Sequence, residues 1–439
     1  MIQASADVTE PRHVRGSVFA AIDIQSRRGD SPLGKRDAWN GPIAILLALA
    51  FATAALVALS GTTPRSDEIF HFEQIRQFLT GQLHGPDTHL STIPGYHALV
   101  AAVMWVVRQD SLGTARLITA LIGLTAVAAF HRLRSNLWSN DTGLAAAQLV
   151  ALPILVPFFF LVYTDALALA LVLWATVAAF GGRHWLAVGL LSVDIFVRQT
   201  DVVWAGLLAL LCFWPLLRAS GLKALPAVVA KSLPYAIPVA IFIGYWAWHG
   251  SITWSPLEAP LHPELTLRLG NIGFAVLLAG LLLPLQVVEG VGRFTSKVRT
   301  NPWLIGVPLV AFAVFWFGFH ADNPYNNALP QVYPRNRLLI AIDQDPWWRA
   351  AAGFWIALSV CGLGSVRLAP MGAAWLYPLS GFFLASSWLI DQRYMLVPFV
   401  LWLAFREQSS VTVERSTLAL WLVIAVALFA AIAGGRILP

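Results

Sequence analysis

Apolar runs recur along the chain from Ile43 to the C-terminus, separated by short polar breaks, and this recurrence limits the fold more than any other feature. A helix needs about 20 residues to cross a bilayer core, and inside it every backbone polar group must be satisfied within the segment. The runs do not alternate apolar and polar residues, which sets aside a β-barrel. Of 439 residues, 58% are hydrophobic and 12% charged, the latter about half the share usual in a soluble domain. The expected fold is an all-α polytopic integral membrane protein. Its 19 tryptophans and 26 prolines suit interfacial anchoring and interrupted helices.

Thirteen spans are expected, at 43–60, 116–131, 142–161, 166–180, 185–197, 202–217, 232–248, 271–289, 303–319, 350–366, 371–389, 394–405 and 417–434. A further apolar run, 94–107, is ambiguous until charge is counted. The basic loops are 132–141, 218–231 and 290–302, and the polar N-terminal segment carries Arg12, Arg15, Arg27, Arg28, Lys35 and Arg36. All four face the cytosol only if 94–107 does not cross. It then lies as a juxtamembrane helix in a long outer loop, 61–115, opposite a second outer loop at 320–349. Inside segments then hold 18 Lys/Arg and outside segments 11, with acids divided 9 and 14 in the opposite sense. Residues 1–40 lack an apolar core followed by a cleavage site and read as a disordered cytosolic tail. Residues 41–439 read as one transmembrane domain. The basic residues are scattered rather than striped, so nucleic acid is not an expected partner. Cys212 and Cys361 sit inside apolar runs and form neither a disulfide framework nor a CxxC site.

On this topology the unexplained polar residues fall on one side. Arg65-Ser66-Asp67-Glu68-Ile69-Phe70-His71 follows the first span and reads as the start of a short amphipathic helix over 66–80, with Ser66 able to cap it. Asp67 and Glu68 stand four and three residues before His71, so each acid can share a face with it. A carboxylate held against a low-dielectric wall can serve as a base; a helix cap with a solvated acidic turn accounts for the same residues. Thr92-Ile93-Pro94-Gly95-Tyr96-His97 opens the juxtamembrane helix and either presents Thr92, Tyr96 or His97 to a sugar or simply starts a helix. Tyr163-Thr164-Asp165 and Arg198-Gln199-Thr200-Asp201 are polar breaks between spans. With Asp194, Arg198 points to a lined cavity rather than lipid, and its planar fork suits a phosphate. Asp322, Asn323, Tyr325, Tyr333, Arg335 and Arg337 lie in the 320–349 loop, and Asp391, Arg393 and Tyr394 at the outer end of a span. The spacing of Asp67, Glu68, His71 and Asp165 matches no recognised metal-ligand signature. No metal and no cofactor are expected, and no GxGxxG is present.

Asp67-Glu68-Ile69-Phe70-His71 resembles the DEIFH-type motif of the eukaryotic dolichyl-phosphate-glucose α-1,2-glucosyltransferase family, which adds the last glucose to the N-glycan lipid precursor. Thr92-Ile93-Pro94-Gly95-Tyr96 is similar to that family's T-P-P-G-L-Y segment, with Ile93 replacing the first proline. Arg198-Gln199-Thr200-Asp201-Val202-Val203-Trp204 resembles its R-Q-T-N-I-x-W, with Asp201 replacing asparagine. Ala321-Asp322-Asn323 resembles its A-D-N, although Pro324-Tyr325-Asn326-Asn327 departs from the R-H-Y-T that follows. Arg393-Tyr394 with Pro398 resembles its late R-Y-x-x-x-P. The matches run in family order from residue 65 to 398. The acidic pair and Tyr163-Thr164-Asp165 are also similar to the polyprenol-dependent C-type glycosyltransferase superfamily, whose fold places juxtamembrane helices in the first outer loop.

The resemblance implies transfer of a hexose, glucose foremost, from a polyprenyl-phosphate sugar to a hydroxyl of a glycan or lipid-linked acceptor, with inversion. It implies Asp67 as the base, Glu68 and His71 shaping the site, and Asp165 orienting the acceptor. Arg198 and Arg393 would hold phosphate, with Gln199, Asp322, Asn323, Tyr394 and Tyr96 as further substrate contacts. The Ala-, Leu-, Trp- and Arg-rich composition favours a bacterial inner membrane, with the endoplasmic reticulum as the eukaryotic equivalent and the N-terminus cytosolic in both. A flippase or transporter of lipid-linked sugars is the alternative class. It calls for inverted repeats and polar residues at span centres, whereas here the polar residues gather at one interface. A cysteine in place of Asp87 should label with an impermeant thiol reagent from outside the cell; labelling from the cytosol alone would overturn the orientation.

Overall fold

The computed structural model describes residues 63–82, 89–138, 142–262 and 266–439. The expected tail 1–40, the span 43–60 and position 87 lie outside the described residues. Their regular structure is helical, apart from one isolated bridge between Leu368 and Arg406. The helices are α1 (Glu68–Leu79), α2 (Gly95–Val106), α3 (Leu112–Leu137), α4 (Thr142–Val150), α5 (Asp165–Phe180), α6 (His184–Asp194), α7 (Val203–Ser220), α8 (Leu225–Ser232) and α9 (Ala236–His249). They continue with α10 (Gly270–Leu282), α11 (Pro284–Thr300), α12 (Gly306–Gly318), α13 (Pro324–Asn327), α14 (Pro334–Gln344), α15 (Pro346–Gly364), α16 (Leu376–Ala385), α17 (Leu396–Phe405) and α18 (Val411–Ala433).

By length and composition, α3, the helical run Gln199–His249 and α18 can each cross a bilayer, and the bent pair α10–α11 makes a fourth. This is the frame of a multi-pass membrane protein. Several expected spans are shorter or broken. The 142–161 run stops being α-helical at Val150, where Pro153 and Pro157 interrupt the ladder, and resumes as a 3₁₀ turn over Val156–Phe159. The 271–289 run turns through 101° between α10 and α11. Pro284 opens α11, where a missing N–H costs nothing. The 185–197 run forms α6, of 11 residues, about 16 Å at 1.5 Å per residue. At 12 residues each, α1 and α2 are likewise too short to span.

The main core joins α3, α4, α5, α7, α17 and α18 through side chains such as Phe130, Leu152, Leu173, Trp204, Val400 and Trp421. A second cluster, with Ile75, Tyr96, Val100, Met104, Val162 and Val197, seats α1 and α2 on the ends of α3 and α5. A third, around Phe274, Phe319, Leu339, Ile356 and Ile390, holds α14 against α10, α12 and α15. At the opposite ends of α3 and α17, Arg406 and Glu414 form a buried pair at 2.7 Å, and Arg134 donates to the carbonyls of Leu403, Ala404 and Arg406.

One polar contact fixes α1 in this frame. Glu68 is fully buried and takes two hydrogen bonds from Arg116 of α3, at 2.8 and 2.6 Å. The N–H of Val162 donates to Oε1 at 3.0 Å and the N–H of Arg65 to Oε2 at 2.9 Å. One carboxylate therefore ties three separate segments. Removing one partner of a buried pair strands the other charge, so Glu68→Ala should cost about 3–5 kcal/mol. The readout is a lower melting temperature of the detergent-solubilised protein. The double replacement Glu68→Met, Arg116→Leu should recover most of that loss; a melting temperature unmoved by Glu68→Ala would remove the pair from this role.

Candidate active site

The turn ahead of α1 is set by Ser66, whose φ of 51° lies in the left-handed region. For a non-glycine residue this conformation carries strain of about 1 kcal/mol or more. It is held by a hydrogen bond between Ser66 Oγ and Tyr333 OH at 2.9 Å. The N-cap is Asp67, not Ser66 as the sequence suggests, and its carboxylate caps nothing. It is free to face outward, where 43% of the side chain is exposed and Arg393 approaches Oδ2 at 3.1 Å. The two adjacent acids thus have opposite surroundings, Glu68 sealed by Arg116 and Asp67 open.

His71 pairs with neither acid. Its Nδ1 lies 2.8 Å from His97 Nε2, and the two rings stack at 5.1 Å. Burial, with the Arg393 charge nearby, lowers the His71 pKa to about 3, so the ring is neutral at ordinary pH. It also packs against Tyr163 at 5.0 Å.

Beyond Asp67 runs a line of alternating charges. Arg393 reaches Asp391 through NH2 and Nε, each at 3.2 Å, and lies 5.6 Å over the Tyr163 ring. Arg335 holds the same Asp391 oxygen. Burial alone would raise the Asp391 pKa, but Arg335 and Arg393 outweigh it and bring the pKa down to about 2. Arg198 binds Asp165 at 2.6 Å with both side chains buried, and stacks 5.8 Å over Tyr394. Because Arg393 and Tyr394 are neighbours in the chain, this joins the two arginine-bearing breaks. Three arginines and three aspartates therefore share one wall with balanced charge, where an anion meets guanidinium donors by exchanging with a carboxylate.

The structure thus brings Asp67, Asp165, Arg198, Arg393 and Tyr394 together. Tyr96 is fully buried, with its hydroxyl 2.6 Å from Thr119 Oγ1. Gln199 donates to the carbonyls of Ser91 (2.9 Å) and Ile252 (2.7 Å), lacing two loops together. Asn323 is buried and donates to the Leu261 carbonyl at 3.1 Å. Asp322 binds Arg268 at 3.0 Å and the Trp388 indole at 2.7 Å on an exposed edge. Among the described residues no group of three or more His, Cys, Asp or Glu is arranged to hold a metal. One constellation goes unforeseen in the sequence. Glu258, 4% exposed, meets His89 at 2.9 Å, His262 at 3.6 Å and the Tyr325 hydroxyl at 3.2 Å. A single acid after Ser255-Pro256-Leu257 carries no motif that would have drawn attention to it.

Residues 62–223, which contain Asp67, Asp165 and Arg198, match the model of the DIE2/ALG10 family. Over this stretch the chain is similar to the DIE2/ALG10 family. The Dol-P-Glc:Glc(2)Man(9)GlcNAc(2)-PP-Dol alpha-1,2-glucosyltransferase of Yarrowia lipolytica is 28% identical over 185 residues, 38% of this chain and 35% of that protein. The protein of the same name from Drosophila melanogaster is 25% identical over 414 residues, covering 82% and 89% of the two chains. A Homo sapiens protein of that name is 26% identical over 160 residues, 32% and 34%. The chain thus spans about a third of the length of the Yarrowia and human relatives. No solved structure matches it. Arg393 and Tyr394 lie beyond the matched DIE2/ALG10 segment and complete its polar wall from the far end of the chain.

Asp391 gives this wall a pH signature. Its folded pKa of about 2 lies below the usual carboxylate value of 3.8, so the stability it contributes is complete above pH 4 and is lost as pH falls towards 2. The shift corresponds to on the order of 2 kcal/mol. Asp391→Asn should therefore flatten the acid limb of the melting-temperature profile between pH about 4 and about 2. Parallel profiles for the two proteins would show that Asp391 is not the group titrating there.

Proposed function

We propose that this chain is a membrane glycosyltransferase moving a hexose, glucose foremost, from a polyprenyl-phosphate sugar to a hydroxyl of a glycan or lipid-linked acceptor. The named relatives are alpha-1,2-glucosyltransferases whose names give Dol-P-Glc as donor. The observation that carries the reading is the open carboxylate of Asp67 against Arg393, on a wall shared with Arg198 and Arg335.

In this proposal Asp67 is the base. The acceptor oxygen attacks the anomeric carbon while its proton passes to the Asp67 carboxylate. The bond from that carbon to the phosphate oxygen breaks, and polyprenyl phosphate leaves with the electron pair. In-line attack inverts the anomeric centre. Arg393 and Arg198 neutralise the leaving phosphate, a use of electrostatics suited to a water-poor site. Arg393 already pairs with Asp67, so the entering phosphate takes over that guanidinium and frees the carboxylate. Asp165 holds Arg198, and Tyr394 lies beneath it. Glu68 and His71 are engaged by Arg116 and His97, and support the site rather than move protons.

The arrangement we favour is the thirteen-span one with a cytosolic N-terminus, α1 and α2 lying on the outer face and the site opening outward. A bacterial inner membrane suits the composition. Asp67→Asn should lower transfer from a synthetic polyprenyl-phosphate glucose by about 10²–10⁴-fold, the usual worth of a general base. It should leave the melting temperature nearly unchanged. Transfer at the wild-type rate would rule out this base.

A further inference from the structure

We infer that Glu258, with His89, His262 and Tyr325, forms the subsite that receives hydroxyls of the acceptor sugar beside Asp67. This rests on the transferase reading above. It begins with how buried acids are held in this molecule. Glu68, Asp165, Asp391 and Glu414 are buried and each is paired with an arginine, whereas the buried Asp201 accepts from the Trp204 indole and the buried Asp194 carboxylate has no hydrogen-bond partner among the described residues. The arginine pairs are lasting, because separating them strands a charge. Glu258 is as deeply placed, yet its partners are two imidazoles and a phenol. These groups exchange hydrogen-bond partners readily and are common in polar, ligand-facing corners.

The partners reach outward from the carboxylate. The His89 side chain is 49% exposed, and Tyr325 is 37% exposed. His89 Nδ1 lies 2.9 Å from Glu258 Oε1 and so carries its proton there. Its other nitrogen is left to hydrogen-bond a hydroxyl of the ligand. Phe70 of α1 packs against the His89 ring at 4.9 Å, three residues after Asp67. Phe70 gives an apolar face beside His89 and Tyr325 one beside His262, as stacking on a sugar ring requires. Tyr325 and His262 both lie within electrostatic reach of Asp67. With Phe70 of α1 against His89, the corner lies beside the helix that Asp67 heads.

The corner is also rigid. The N–H groups of Trp254 and Ser255 donate to the carbonyls of Ser91 (3.0 Å) and Leu90 (3.1 Å), immediately after His89. Gln199 bridges Ser91 and Ile252. Asn323 holds the Leu261 carbonyl next to His262, and its Oδ1 accepts from the Tyr325 N–H at 3.0 Å. Gln199 and Asn323 thus act as positioning residues, fastening the loops that bring Glu258, His89 and Tyr325 together.

The test is two-substrate kinetics on the purified full-length protein. The donor is synthetic polyprenyl-phosphate glucose, and the acceptor a polyprenyl-diphosphate oligosaccharide ending in glucose. Glu258→Gln and His89→Ala should each raise the acceptor KM by about tenfold, the order for one lost charge-assisted hydrogen bond. The donor KM should stay within about twofold, since binding of the phosphate is untouched. Tyr325→Phe, which removes one hydroxyl and serves should Glu258→Gln not fold, should raise the acceptor KM by about threefold or more. An unchanged acceptor KM, or an equal rise in both KM values, overturns the subsite while transfer by the wild type upholds the transferase reading. Absence of transfer by the wild type under these conditions would remove that reading, and the subsite with it.

Discussion

The buried pair of Glu68 and Arg116 decides where the open acid of this protein can be. Successive residues on a helix point about 100° apart. Once Glu68 is sunk between α3 and the Val162 segment, Asp67 at the head of α1 is turned away from the core. The left-handed Ser66 ahead of it sharpens that turn, and Tyr333 from the distant 320–349 segment holds it in place. Two chemically similar neighbours are thereby divided into a fastening and an exposed carboxylate. A helix carrying only one of them would lack either its anchor or its open carboxylate.

The sequence was legible where a physical signal was local. Apolar runs located nearly every long helix, because burial in lipid or protein demands continuous hydrophobicity. They did not show where a run would bend or stop being α-helical. Pro153, Pro157 and Pro284 are visible, but a proline kinks, ends or opens a helix, and tertiary packing decides which. In the site, Asp67, Arg198 and Arg393 stood out because each interrupts apolar sequence and matches a family motif. Their partners were harder to read. Arg198 meets Asp165 across 33 residues and Arg335 meets Asp391 across 56, so only the fold reveals the pairs. Glu258 is the extreme case: its contacts come from residues 169 and 67 positions away, and no single segment hints at them.

The same distinction explains why Tyr96, Gln199 and Asn323 look functional in the sequence yet form supports in the structure. A polar or aromatic residue beside a membrane span is conspicuous whether it touches a ligand or satisfies backbone groups. Gln199 spends its amide on two carbonyls and Asn323 on one, because loops packed away from water must have their polar atoms paired. The requirement is strongest next to a site, where irregular backbone replaces helices. Loops rigid enough to present side chains to a sugar need such internal ties, so residues near a motif often serve the scaffold.

The charges in the wall differ in how freely they can exchange. Arg198 and Asp165 are 8% and 3% exposed, so parting them would leave an unpaired charge in a low-dielectric setting at a cost of several kcal/mol. Arg393 and Asp67 are 21% and 43% exposed, a setting in which an ion pair is worth about 0–1 kcal/mol. In the proposed transfer an arriving phosphate therefore takes over Arg393, while Arg198 acts on it from its place beside Asp165. Arg393 remains tied to Asp391 from its other side, so it can change one partner without losing its place. In the proposed transfer the exchange leaves Asp67 without its cation as the donor is seated, and would link occupancy of this wall to the basicity of its open carboxylate.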